Sequence, residues 1–128
     1  MRKKFFIFFI LFFTVQAYAA TCPTPEALRN HQWDEWVPYD IDSGEPANTE
    51  KQERFLQQVD KFALAEWLED SPEGDAHCYY ASKNAEPIYL NVYWAKYHLV
   101  FDPNLPDWKP VGNNAMQCNK SIEECRFQ

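Results

Sequence analysis

The chain has 128 residues, 24% of them charged and 46% hydrophobic, with a formal charge of −7 at pH 7. That length makes one small domain and leaves no room for two. The acidic balance argues against nucleic acid and anionic membranes, which are bound through basic patches, and steers basic partners toward the surface.

Residues 1–19 read as a secretory signal peptide. Arg2, Lys3 and Lys4 form a basic start, residues 5–13 are an unbroken apolar run, and Ala17-Tyr18-Ala19 is the small-x-small pattern that precedes a cleavage site. The run is too short to span a bilayer, which takes about 20 residues, so no stable membrane insertion is expected after cleavage. Residues 20–128 then form a single exported α+β domain in an oxidising compartment. Loss of Arg2, Lys3 and Lys4 takes its formal charge from −7 to −10. A lipid-modified Cys22 is the alternative, but Thr21 stands where such cysteines usually follow Gly or Ala.

Thr24-Pro25-Glu26 starts a short helix over residues 25–30, with a capping hydroxyl, Pro at the first helical position and an acid in the first turn. Residues 33–41 are rich in aromatics and β-formers. Pro38 limits them to an edge strand or an irregular extended segment. Residues 42–48 are a loop. Thr49 through Gln52 match a capping box with Thr49 as the cap, and the main helix follows over residues 50–69. Phe55, Val59, Phe62, Ala63 and Trp67 recur at helical spacing and should face the core. Ser71-Pro72-Glu73-Gly74 ends it.

Residues 77–82 read as a strand, 83–87 as a turn, and 88–101 as one long strand or two short ones with both faces covered. Residues 102–106 break the pattern. Residues 108–111 give a short strand limited by Pro110, Gly112-Asn113-Asn114 a turn, and Ser121 to Glu124 a second capping box. The fold class these elements predict is α+β: one main amphipathic helix packed on a small antiparallel sheet of three to four strands.

Cys22, Cys78, Cys118 and Cys125 are an even set in a short exported chain and read as two disulfides, with three connectivities open. Zinc is disfavoured, since no Cys-x-x-Cys or neighbouring His pair occurs. The segment Asp40-x-Asp42-x-Gly44-Glu45 is oxygen-rich but lacks the EF-hand spacing, so no metal or other cofactor is expected.

No catalytic motif stands out. Ser43, Ser71, Ser82 and Ser121 sit in turn or cap contexts outside any Gly-x-Ser-x-Gly elbow, and His31, His77 and His98 are isolated in sequence. Carboxylates are the abundant chemical group. Asp34 and Glu35 lie between Trp33 and Trp36, and Asp40 and Asp42 flank Ile41, so that both point one way on an extended chain. Paired carboxylates beside aromatic platforms suit a glycosidase; two core tryptophans at a solvated strand edge look the same.

Cys22-Pro23 directly after the signal, the Cys78-Tyr79-Tyr80 strand, Trp108, and the ending with Cys118, Cys125 and Phe127 resemble a group of small exported proteins of unknown function in Gram-negative bacteria. The resemblance implies an exported disulfide-bonded domain and no activity. In pathogens such proteins are often type II secretion cargo.

The leading expectation is a non-enzymatic exported binding protein, periplasmic or secreted, whose partner is a basic protein or a glycan. Its contact surface would be Trp33, Trp36 and Tyr39 with Asp34, Glu35, Asp40 and Asp42. An inhibitor of a basic enzyme such as lysozyme is one concrete form. The alternatives are a small glycan hydrolase using paired carboxylates and a structural envelope accessory protein.

Overall fold

The computed structural model describes residues 20–69, 71, 75–83, 90–96 and 99–128. The expected signal peptide lies outside the described residues. So do residues 72–74 of the expected helix stop, 84–87 of the expected turn, residues 88, 89 and 97, and His98.

The fold is mostly sheet, which corrects the expected architecture. Two short helices, α1 (Pro25–Arg29) and α2 (Thr49–Gln58), accompany β1 (Val37–Asp40), β2 (Val59–Leu68), β3 (Ala76–Ser82), β4 (Val92–Lys96), β5 (Lys109–Val111) and β6 (Ala115–Cys118). The six strands form one antiparallel sheet in the order β1-β4-β3-β2-β6-β5. Among the described residues no main helix lies on a sheet of three to four strands.

The expected helix over residues 50–69 ends halfway, and β2 begins at Val59 with no residue between. Val59 is the cap: it turns to φ −63°, ψ 128° while its N–H still donates to Phe55 O. Lys61, Ala63, Leu64, Ala65 and Glu66 prefer helix by only a few tenths of a kcal/mol each. Against this, β2 pairs with β3 on one side and β6 on the other, so ladder bonds and packing on both flanks prevail. Irregularities between Val59 and Lys61 and between Phe62 and Leu64 explain why the sequence misleads. Each inserts one residue and turns a strand spacing of two into three. The core-facing residues Val59, Phe62, Ala65 and Trp67 therefore recur at 3, 3 and 2, close to a helical stripe.

Both helices cap well. Ala27 N donates to Thr24 Oγ1 at 3.0 Å, with Pro25 at the first helical position. In α2 the cap is Asn48, one residue before the expected Thr49: Lys51 N donates to Asn48 Oδ1 at 2.9 Å and Gln52 Nε2 to Ala47 O at 2.7 Å.

One sheet face carries the main core. Cys78, Tyr80, Trp94, Ala65 and Val92 are buried there under Leu28 of α1, Phe55 of α2 and the chain ends around Cys22 and Phe127. The Phe55 ring lies 5.8 Å from Tyr80 and 5.9 Å from Trp94. Phe127 packs 4.9 Å from Trp108, and its N–H donates to Ala20 O at 2.9 Å. The aromatic excess is therefore largely core.

The disulfides are Cys22–Cys78, which ties the segment before α1 to β3, and Cys118–Cys125, which closes a local loop after β6. Their sequence separations of 56 and 7 correspond, in a chain-entropy treatment, to about 4 and about 2.5 kcal/mol. Two disulfides in so small a domain fit an oxidising compartment and are compatible with export. Among the described residues no helix is long and apolar enough to cross a membrane.

Each edge strand contains a proline, Pro38 in β1 and Pro110 in β5. The outer side of β1 is also covered by its own loop, where Ala47 N donates to Pro38 O at 3.0 Å and Asp40 N to Glu45 O at 2.8 Å.

Candidate functional site

The seven residues singled out in the sequence are brought to three different places. Trp33 and Trp36 pack into the main core. Trp33 meets Trp94 edge-on at 4.5 Å and donates Nε1–H to Leu28 O at 2.9 Å. Trp36 is buried 6.2 Å from Phe127, with Lys96 Nζ 5.8 Å from its ring centre. Tyr39 is on the opposite sheet face, stacked on Tyr93 at 5.7 Å.

Asp34, Glu35 and Asp42 are exposed. Glu35 pairs loosely with Lys96 at 3.9 Å. Asp40 is 5% exposed and bound into the fold: Lys51 Nζ donates to Oδ2, and Asp42 N donates to Oδ1 at 3.0 Å. The Lys51 hydrogen bond, then that of the Asp42 amide, holds the Asp40 carboxyl below its ordinary value of 3.8. A glycosidic general acid needs the opposite shift.

Two residues absent from the sequence-derived surface belong to it geometrically. Val37 and Ile41 are 37% and 40% exposed. Ile41 extends the β1 ladder by one residue, its N–H donating to Asn91 O at 2.9 Å. Val37, Tyr39 and Ile41 thus share one face by the strand period. That alternation was the available signal. The acids sit at the ends, with Asp34 and Glu35 before β1 and Asp42 and Glu45 after it.

The face on which Tyr39 lies also holds a polar array. Lys109, Gln117, Glu66, His77, Ala95 and Val37 stand opposite one another in register across all six strands. Beside them, Tyr93 stacks on Tyr79 at 5.5 Å and on His77 at 4.9 Å. Gln117 Nε2 donates to Glu66 Oε2 at 2.6 Å, and Tyr79 Oη donates to Glu66 Oε1 at 3.2 Å. Tyr79 Oη lies 3.4 Å from His77 Nδ1, and Ser71 Oγ lies 3.4 Å from His77 Nε2. His77 is 3% exposed. Tyr39, Ser71, His77, Tyr79 and Tyr93 make further interactions beyond these.

Sequence reasoning passed over this array because its hydrogen-bonded members come from three strands, β6, β2 and β3, and a loop; Glu66 and Gln117 are 51 residues apart. The His77-x-Tyr79 alternation beside Cys78 was its only local sign.

Among the described residues no group of three or more His, Cys, Asp or Glu side chains is placed to hold a metal ion. The chain matches no protein-family model, no curated protein and no solved structure. A functional reading therefore rests on this geometry alone.

Proposed function

We propose that the protein is an exported acidic binding protein, periplasmic or secreted, that docks a basic protein at the β1 edge of its sheet. The observation that supports this is the pairing of exposed apolar side chains with uncompensated acids. Val37 and Ile41 lie roughly 13 Å apart along the strand, and Asp34, Asp42 and Glu45 beside them form no ion pair among the described residues. Apolar contact in the centre with acids at the rim suits a partner that presents Lys and Arg around an apolar spot. Trp33 and Trp36 support this surface from beneath. Type II secretion is the export route that the resemblance in the sequence brings forward, and fractionation of periplasm from medium distinguishes the two locations.

The test is a pull-down with the oxidised protein from envelope and host extracts at low and high salt, with lysozyme as a purified basic control. The expected result is one basic protein, retained at low salt, released at high salt, and no longer retained by a D34N/E35Q/D42N/E45Q variant. Binding indifferent to salt and to these four charges would sink the electrostatic reading.

A further inference from the structure

The two disulfides follow chain order. The first cysteine, Cys22, pairs with the second, Cys78, and Cys118 pairs with Cys125, one of three possible connectivities. The contacts that bring each pair together also lie within its own part of the chain. Arg29 Nη1 donates to Val59 O at 2.8 Å, which ties α1 to the start of β2, and β2 pairs with β3 in register from Val59–Ser82 to Trp67–Ala76. Tyr80 Oη donates to Pro23 O, beside Cys22. None of these contacts involves β4, β5 or β6, so residues 20–82 carry their own means of holding Cys22 over Cys78. At the other end, Cys125 N donates to Ser121 O at 2.8 Å and Glu124 N to Ser121 Oγ at 3.1 Å. That turn returns Cys125 to the end of β6.

Loop length favours the same pairs. The probability of closing a loop falls as about the −3/2 power of its length. Cys118, 7 residues from Cys125, therefore meets it about 14-fold more often than it meets Cys78, roughly 40 residues away. Once Cys118 and Cys125 are joined, Cys22 and Cys78 have only each other. Emergence across a membrane favours the other pair first. When the N-terminus leads, Cys22 and Cys78 reach the oxidising side while Cys118 is still to follow. From either direction the first bond made is native, and it dictates the second.

We infer that this chain is a substrate for dithiol oxidation alone: an oxidant that presents an exchangeable disulfide supplies both bonds, and no isomerisation of wrong pairs has to follow. In each step one cysteine thiolate attacks a sulfur of the oxidant and forms a mixed disulfide. The partner thiolate then attacks the chain's sulfur in it, closing the bond and releasing the oxidant as a dithiol. Two electrons and two protons pass to the oxidant for each bond. Oxidation also decides the fate of Cys22, because a sulfur bonded to Cys78 cannot carry a lipid thioether. The emergence order rests on the export proposed above; the loop-length order does not.

The experiment starts from oxidised protein produced by export from the full chain. It is reduced in guanidinium chloride and diluted into buffer containing oxidised glutathione. Samples are trapped by alkylation, and their pairs are read by peptide mass spectrometry. The expected result is Cys118–Cys125 as the main early bond, Cys22–Cys78 after it, and a native yield that added disulfide isomerase does not raise. Mispaired protein that persists until isomerase is added overturns the inference. A C125S variant tests the emergence order. Oxidised while still in guanidinium chloride, its Cys78 should join Cys22 and Cys118 within about twofold of each other, since the two loops differ little in length. Exported from cells, the same variant should carry Cys22–Cys78 with Cys118 as a free thiol, and this covalent readout does not require it to fold. Mixed pairs in exported C125S overturn the emergence order. Uncleaved wild-type protein retained in the cell would instead be a failure of the export reading, with the refolding result unaffected.

Discussion

Asp40, the last residue of β1, is joined to Lys51 in the first turns of α2, so the edge strand and the helix after it are locked by one ion pair. The same carboxylate accepts the Asp42 amide, and Gly44 N donates to Asp40 O at 2.9 Å. Gly44 itself takes φ 69°, the left-handed backbone that this tight return requires. One acid therefore sets the course of the whole 40–47 loop.

A pH dependence follows from that arrangement. The Asp40 carboxyl is held below 3.8 by Lys51 first and the Asp42 amide second. A depressed folded value means stability that is present above the unfolded value near 3.8 and is lost as pH falls through the folded value. Urea unfolding of wild-type and D40N proteins should therefore converge as pH drops below about 4, with D40N less stable above it. Lys51 is 40% exposed, so added salt should narrow the gap. Equal slopes for the two proteins would remove Asp40 from the account.

Tyr80 provides the alkaline counterpart. Burial against Phe55 and Phe62 raises its hydroxyl well above 10, and its O–H donates to Pro23 O. A raised folded value gives stability that is full below the unfolded value near 10 and is lost as pH climbs toward the folded one. Y80F should cost about 1 kcal/mol at neutral pH through the lost hydrogen bond. Its stability should also fall less steeply above pH 10 than wild type, as followed by chemical denaturation.

The two disulfides are expected to differ in weight. C22S/C78S should lose about 4 kcal/mol and C118S/C125S about 2.5 kcal/mol if loop entropy dominates. All four cysteines sit in the main core, so burial does not separate the two pairs. Denaturant midpoints at constant slope measure both losses. An equal loss from each pair would show that native packing, not chain entropy, sets the value.

Several elements were legible from local chemistry. The Thr24-Pro25 start, the strand around Cys78, the proline-limited edge at Pro38 and the 112–114 turn each carry their signal within a few residues. β2 was hidden because its bulges copy helical spacing in a segment of helix-forming residues. β6 was missed because Ala115, Met116, Gln117 and Cys118 have no β-branched member, and only pairing with β2 and β5 makes them a strand. The disulfide pairing depends on which strands meet, which four cysteines alone leave open. The candidate site divides in the same way. Val37, Tyr39 and Ile41 declare their shared face by alternation, whereas Ser71, His77, Tyr79, Glu66 and Gln117 meet only once the sheet order is known.

The tryptophans allow a hydrogen-bond comparison at matched volume. Trp94 and Trp108 are both buried, but Trp108 Nε1 donates to Arg126 O at 2.6 Å while Trp94 Nε1 has no acceptor among the described residues. Replacing either by Phe removes the same ring atoms. W108F also strands the Arg126 carbonyl, whereas W94F removes a donor that was already costly to bury. W108F should therefore be the more destabilising by about 1–2 kcal/mol, read from urea midpoints. The reverse order would mean that the cavity left at Trp94 outweighs the hydrogen bond.

Edge protection gives the last expectation. A sheet edge with free N–H groups is a template for a second copy. Here β1 is covered by Pro46 and Ala47, which among the described residues leaves β5 as the open edge, with Val111 45% exposed on it. Pro110 is the middle of its three residues and lacks an N–H, and Lys109 adds a charge beside it. P110T restores a donor and a β-branched side chain at that position. Sedimentation velocity should then show concentration-dependent association in P110T that the wild type lacks at equal concentration. A P110T protein that sediments as the wild type does would mean that the charge of Lys109 and the brevity of β5 suffice to keep the edge closed.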